Sequence, residues 1–403
     1  MITLKPANKP TPSNQQYGLA LAGGGPLGGF YELGALCALQ DSIKRVDLTD
    51  LDVYVGVSAG AFIAAGLANG ISLPYMCDIF ASNKKTETPF NPDHFLQPAY
   101  KDYVKNLAKT PLLVGKSLLK WAKNPLHTSI VDMLEVTGKA LPTGVFNNSK
   151  LEHFLNTVFT KYGQSNDFRE LSKKLYIIAC ELNSGKIATF STDNNSDVPI
   201  SKAVQASSAL PGLYSPVKIK NQMYVDGALR RTMNASAALK QGVHLLFAIN
   251  PIVPFKRSEQ IDDKGLVEGG LPLVLSQTFR SVVQSRLKTG LAKYKDDYPE
   301  ADIILVEPDQ NDEVMFKSNL FSYSQRANLC DYAYRHTRQQ LIKRKDEINA
   351  ILERHGLAFN NDNLNDNSRD IESFINNKPS QVSWSDQINS SLDALERQLK
   401  AKS

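Results

Sequence analysis

Residues 17–36 read YGLALAGGGPLGGFYELGAL: an apolar run, four glycines in six residues, then a helix-compatible stretch with Pro26 in its opening turn. This stretch constrains the fold more than any other. A buried strand that breaks at glycines straight into a helix starts an α/β unit, and it aims backbone N–H groups at whatever lies beyond the strand end. The pattern then repeats. LDVYVGVS predicts a second buried strand, and AGAFIAAGLANG a small-residue helix stopped by Gly70. Residues 17–70 therefore read as β-α-β-α. In a parallel sheet, its two strand-to-helix junctions meet on one edge.

Gly23, Gly25 and Gly28 satisfy G-x-G-x-x-G, the fingerprint of a dinucleotide site. Such a site also needs an acid about 20 residues on, at the end of the second strand, to bind the ribose. Here Asp50 and Asp52 precede that strand, and its far end is GVSAG, residues 56–60. This is G-x-S-x-G, a nucleophile elbow. Ser58 would sit on a sharp turn, side chains at Gly56 and Gly60 would crowd neighbouring segments, and the Ala59 N–H would face developing negative charge. The first loop then reads as an oxyanion hole, with Gly24 and Gly25 as donors. A turn needed only for close packing explains that loop by itself, but not why two motifs share an edge.

A base for Ser58 is harder to find. None of the six histidines (His94, His127, His153, His244, His336 and His355) lies in a loop placed like these motifs, and His244, just before a strand, reads as surface or structural. The sequence VDGALRR puts Asp226 at a strand end before Gly227. On its own that is a common turn or cap arrangement.

The rest of the chain sets the frame. KKLYIIACEL with KIATFST, and PVKIKNQMYVDGA, predict two strand pairs; HLLFAINP and ADIILVEPD predict two further buried strands. NNSKLEHFLNTVF predicts a helix capped by Asn148 or Ser149, and residues 323–355 one long helix ending near Gly356. The chain divides into a flexible tail (1–16), an α/β domain (17–310) holding a helical, Lys-rich insertion (80–145), a helical extension packed on it (311–356), and a polar linker with a short terminal helix (357–403). Residues 101–150 hold eight lysines against three acids. The 101–123 stretch fits a solvated helix or a peripheral membrane contact, its lysines over anionic lipid heads beside Leu118, Leu119 and Trp121. A net charge of +5 is too small to suggest nucleic acid, and no apolar run is long enough to span a bilayer. Four scattered cysteines without a C-x-x-C pair argue against zinc and for a reducing, cytoplasm-like compartment.

Taken in order, GGGPLG, GVSAG and DGA resemble the three signatures of the patatin-like phospholipases. QASSALPGLYSPVKI (205–219) is similar to a stretch those proteins carry between elbow and Asp, and LPTGVFNNSKLEHFL (141–155) resembles a bacterial subgroup. The resemblance covers residues 17 to about 250 and extends toward 355. It implies a three-layer α/β/α fold with a central, mostly parallel sheet. It implies hydrolysis of a lipid or fatty-acyl ester by a Ser58–Asp226 dyad, with no histidine, metal or cofactor. Gly23, Gly24, Gly25 and Ala59 would form the oxyanion hole, supported by Gly28, Gly56, Gly60 and Gly227. An acyltransferase using the same dyad, or a catalytically weak membrane-associated module, are the alternatives. One position departs from the family pattern: Leu27 stands where a Lys or Arg is usual. Arg230 or Arg231 is the candidate substitute for that cation.

Overall fold

The computed structural model describes residues 1–9, 12, 15–80, 97–98, 143–161, 164–256, 267–317 and 325–376. Almost all of the Lys-rich insertion, including the proposed membrane contact at 101–123, and the terminal helix of the polar linker lie outside the described residues. Nine strands form the main sheet: β1 (Ile2–Lys5), β2 (Gln16–Leu21), β3 (Val53–Val57), β4 (Lys174–Glu181), β5 (Ile187–Phe190), β6 (Val217–Ile219), β7 (Gln222–Asp226), β8 (Val243–Ile249) and β9 (Asp302–Val306). Their order is β1-β9-β8-β2-β3-β4-β7-β6, with β5 paired to β4. The centre, β9-β8-β2-β3-β4, is parallel; β1, β7, β6 and β5 pair antiparallel at its margins.

The strand period of two explains the layers. Leu19 and Leu21 face one apolar cluster while Ala20 and Ala22 face another. The first cluster takes the helices α1 (Gly25–Ser42), α2 (Ala59–Ala68), α3 (Leu73–Phe80), α4 (Ser149–Lys161) and α5 (Ile200–Ser207). The second takes α6 (Gly270–Asp297), through Leu287 and Tyr294. The protein is thus a three-layer α/β/α fold. Helix α1 is buried nearly all round because α7 (Arg326–Lys343) covers its outer side. The two approach so closely at Gly34 that an added Cβ would strike the Cys330 carbonyl. All four cysteines are free and buried, and the Cys37 and Cys77 sulfurs lie 3.4 Å apart where α1 meets α3. No helix among the described residues is long and apolar enough to cross a membrane.

Four features differ from the sequence expectations. The supposed N-terminal tail contributes edge strand β1, fixed by Lys5 Nζ donating to the carbonyls of Tyr298 and Ala301 (2.5 Å each). The helix expected over 323–355 is broken at Arg344 into α7 and α8 (Lys345–Arg354), where the Arg344 guanidinium bonds Glu347 and the Ile2 carbonyl. The start of the polar linker is ordered. Ala358–Phe359 pairs with Ile43–Lys44, Leu364, Ile371 and Ile375 are buried, and Arg369 meets the buried Asp41 carboxylate at 2.7 Å. A few apolar anchors, the Arg369–Asp41 pair and the Arg338 guanidinium donating to the carbonyls of Asn363, Leu364, Asp366 and Arg369 hold that segment despite its Asn/Asp-rich composition. Asn148 does not cap α4; its side chain exchanges hydrogen bonds with Gln205 and ties α4 to α5.

Candidate active site

Strands β2 and β3 run parallel with Leu21 opposite Gly56, so the glycine loop after β2 and the elbow after β3 open on one sheet edge. Ser58 joins β3 to α2 with φ +55° and ψ −122°, a conformation that non-glycine residues rarely hold without support. The support is local. The Ser58 N–H donates to Ser207 Oγ (2.8 Å), and Ser207 in turn donates to the Ile178 carbonyl (2.6 Å). Close packing adds to it: a Cβ on Gly60 would lie 2.6 Å from Leu21 Cβ. Ser207 lies within the 205–219 stretch, but only the fold shows it bracing Ser58.

The glycine loop enters α1 through Gly25, at φ +61°. A Cβ on Gly24 would lie 2.5 Å from Pro251, and one on Gly23 would lie 2.9 Å from Ser58 Cβ, so the loop passes directly against the serine. The Gly23 N–H is engaged by the Thr232 carbonyl at 3.3 Å. Gly24, Gly25 and Ala59 belong to the cap and first turns of α1 and α2, where N–H groups have no intrahelical acceptor. Gly28 donates to the Gly24 carbonyl (3.0 Å) and packs on Pro251.

Asp226 arrives from the other side. It ends β7, opposite Ala179 of β4, which itself pairs with β3 through Ile178 and Val57. Gly227 lets the chain turn there: an added Cβ would strike the Ile178 carbonyl. The Asp226 side chain is buried, accepts from Ala228 N at 2.8 Å, and lines the same cavity as Ser58, whose hydroxyl favours its charged form. Burial pushes its pKa up to about 6, against the lowering effect of the Ala228 amide and the Ser58 hydroxyl. A carboxylate so tuned is a better base near neutral pH than one at the ordinary value of 3.8.

Ser58, Ala59, Asp226, Gly23, Gly24 and Gly25 all line one cavity of about 450 Å³. The other walls are largely apolar and include Leu33, Phe62, Leu151, Leu210, Leu213 and Phe279. The fold therefore brings together the serine, the aspartate and both glycine motifs. It does not bring the arginines: Arg230 and Arg231 are exposed and absent from the cavity wall. Leu27 is 3% exposed and belongs to the core, a place where a cation would be costly. The cation on the wall is Arg280 of α6, which sequence reasoning missed. Of the four described histidines none lines the cavity. His336 and His355 bond Asp309 and Asp302, His244 accepts from Gln16 N, and His153 is exposed. His94 and His127 lie outside the described residues.

The family model for patatin-like phospholipases matches residues 19–239. A probable lipid hydrolase, 463L, of Invertebrate iridescent virus 6 is 22% identical over 224 residues, 56% of this chain and 64% of that protein. The uncharacterized protein R571 of Acanthamoeba polyphaga mimivirus is 26% identical over 211 residues, 52% of this chain and 57% of that one. The chain thus spans less than two thirds of the length of either viral relative. Among solved structures, VipD from Legionella pneumophila aligns over 79% of this chain and 67% of its own, at 17% identity and TM-score 0.36. ExoU of Pseudomonas aeruginosa, in complex with SpcU, aligns over 73% and 54% at 15% identity and TM-score 0.26.

Proposed function

The chain belongs to the patatin-like phospholipase family, and from that premise we propose that it hydrolyses lipid acyl esters with Ser58 as nucleophile and Asp226 as base. The single observation that carries this reading is the convergence of the braced Ser58, the buried Asp226 and the glycine loop on one largely apolar cavity. We assign the reaction to the α/β unit of residues 17–310.

In the first step Ser58 Oγ attacks the ester carbonyl carbon and its proton passes to Asp226. The C–Oγ bond forms and the carbonyl π electrons move onto oxygen. That oxyanion meets the N–H groups of Gly24, Gly25 and Ala59; one such donor is worth about 3–4 kcal/mol in well-studied hydrolases. Collapse expels the alcohol, which takes the proton from Asp226. A water then gives its proton to Asp226 and attacks the acyl-serine, and the released fatty acid leaves Ser58 reprotonated. Engagement of the Gly23 amide by Thr232 favours Gly24 and Gly25 as the loop's donors, with Gly23 serving close approach. The apolar walls suit an acyl chain, whose burial contributes about 0.8 kcal/mol per methylene.

A fluorophosphonate probe tests the assignment. Wild type is expected to gain one phosphonyl group, mapped to Ser58 by peptide mass spectrometry, and to hydrolyse members of a lipid-ester panel. Ser58→Ala is expected to do neither. Labelling at another serine, or hydrolysis that persists in Ser58→Ala, would refute it.

A further inference from the structure

We propose that the outer face of α6 docks the protein on an anionic lipid bilayer, with the mouth of the Ser58 cavity turned to the membrane. Nine large apolar side chains are exposed among the described residues, and five of them fall within 267–282: Val267, Leu271, Val274, Leu275 and Val282. The other four are scattered, and a lone exposed apolar side chain needs no explanation. A cluster does. Within α6, residues 271, 274, 275 and 282 follow helical spacing, so they share one face.

The opposite face explains why they point outward. Gln277 donates to the Phe255 carbonyl (2.8 Å) and accepts from the Phe255 N–H (3.1 Å). Arg280 Nη1 donates to the Val253 carbonyl (3.2 Å), and the buried Gln284 accepts from Asn250 Nδ2 (3.2 Å). Residues 277, 280 and 284 also follow helical spacing. Polar groups thus hold this half of α6 to the segment after β8, and the buried Val283 and Leu287 take over the inward face further along. The apolar residues of the first half are left outside. A helix packed on a core with water beyond it shows the reverse, and the arrangement costs least where the outer medium is not water.

Continuity and charge identify that medium. Leu275 is 57% exposed and also lines the cavity, with Ser276 and Phe279. The apolar face therefore runs into the cavity wall that leads to Ser58. Residues 270–295 carry five cations (Arg280, Arg286, Lys288, Lys293 and Lys295) and no acid; acids return at Asp296 and Asp297, the latter 3.8 Å from Lys293. All five but Arg280 are exposed. Arg286 donates to the carbonyl of Leu229, itself on the cavity wall, which brings the exposed Arg230 and Arg231 to the same rim. Apolar side chains bordered by cations suit an anionic bilayer: the first enter the boundary between headgroups and acyl chains, and the second meet the headgroups. A protein partner would call for aromatic anchors, and the exposed apolar residues of this face are all Leu or Val. The inference goes beyond the catalytic assignment and needs no turnover.

The test is co-sedimentation of the Ser58→Ala protein with vesicles of phosphatidylcholine containing about 30% phosphatidylglycerol. Leu271→Gln, Val274→Gln and Val282→Gln, all off the cavity wall, are introduced together. The partition coefficient is expected to fall about 30-fold. Leaving out the phosphatidylglycerol should weaken binding of the Ser58→Ala parent about tenfold. With Ser58 intact, the three changes should leave hydrolysis of a soluble short-chain ester within about twofold. A second readout needs no loss of binding. An environment-sensitive fluorophore on Leu271→Cys should shift to the blue on these vesicles, and one on Ile342→Cys, exposed on α7, should not; the four native cysteines are buried. An unchanged partition coefficient overturns the proposal and moves any membrane contact elsewhere, residues 101–123 first. So does a label at 271 that stays unshifted. If the three changes convert a dimer to a monomer in analytical ultracentrifugation and leave partition intact, the face belongs to a second copy and the proposal fails. Partition that depends on the α6 face in a protein whose wild type cleaves no ester would leave the docking surface standing and sink the hydrolase reading. Ester cleavage with partition untouched would do the opposite.

Discussion

Two buried aspartates at two strand termini show how the same residue serves different ends. Asp302 opens β9 and is fully buried, as Asp226 is at the close of β7. Burial raises the pKa of both carboxyls. At Asp302, hydrogen bonds from His355 Nε2 (2.8 Å), the Arg354 guanidinium and Ala7 N (2.8 Å) outweigh it, and the pKa falls below the ordinary value. At Asp226 only a hydroxyl and one amide oppose burial, and the pKa rises to about 6. Asp302 ties β9, the N-terminal segment and the α8 terminus together. Asp226 is left under-compensated, facing a cavity. An under-compensated buried carboxylate costs stability, and such a cost is commonly tolerated at functional sites.

The contrast can be broken in three ways, taken from the largest expected effect to the smallest. Asp302→Asn should destabilise the fold by about 3 kcal/mol, because it strips the counter-charge from Arg354 and the acceptor from His355. Thermal or urea unfolding would check this, and kcat/KM on a neutral ester below the melting range should stay within about threefold of wild type. A large loss of activity in a folded Asp302→Asn protein would erase the distinction.

The two carboxyls should also part company with pH. The proposed dyad needs Asp226 ionised, so kcat/KM should fall about tenfold per pH unit below about 6 and level off above it. The stability from Asp302, with its folded pKa below the unfolded 3.8, is present above pH 3.8 and is lost only as pH falls through that lower value. Circular dichroism across pH 4.5–6 should therefore show a folded protein that is losing activity. Unfolding that tracks the activity would merge the two roles.

The smallest effect is on stability at Asp226 itself. Its folded pKa lies above its unfolded 3.8, so the ionised carboxyl weakens the fold progressively as pH rises from about 4 to 6, and that cost persists above 6. Asp226→Asn removes the charge and keeps an acceptor for Ala228 N. At pH 8 it should raise Tm by about 2–4 °C in differential scanning calorimetry. A fall in Tm would mean that the carboxylate is compensated after all.

Much of this site was legible in the sequence because it is built from backbone chemistry. Strand runs that end in glycine and lead into helices specify the parallel pair β2 and β3, and their junctions must then meet. Asp226 was legible only as one motif among three, since what makes it basic is its burial, a tertiary property. Arg280 was not legible. Its helix α6 spreads apolar residues around its circumference, with Leu271 and Leu275 exposed and Leu287 buried, so no stripe betrays the inward face. Strand β1 is four residues long, and the ordered part of 357–376 rests on scattered apolar residues such as Leu364, Ile371 and Ile375 and on polar partners distant in sequence, Asp41 and Arg338, signals too sparse to stand out from an Asn/Asp-rich background. The break at Arg344 has the same origin: its guanidinium reaches the Ile2 carbonyl, a partner distant in sequence.

The claim at the centre of this account is that Asp226 serves Ser58 without a histidine. The most direct test is kcat/KM of Asp226→Asn on a soluble neutral ester at pH 8, where wild-type Asp226 is ionised. The account predicts a loss of about 10³-fold or more in a protein that remains folded. A loss of less than about tenfold would contradict it and return the search to a base outside the described residues, His94 and His127 first.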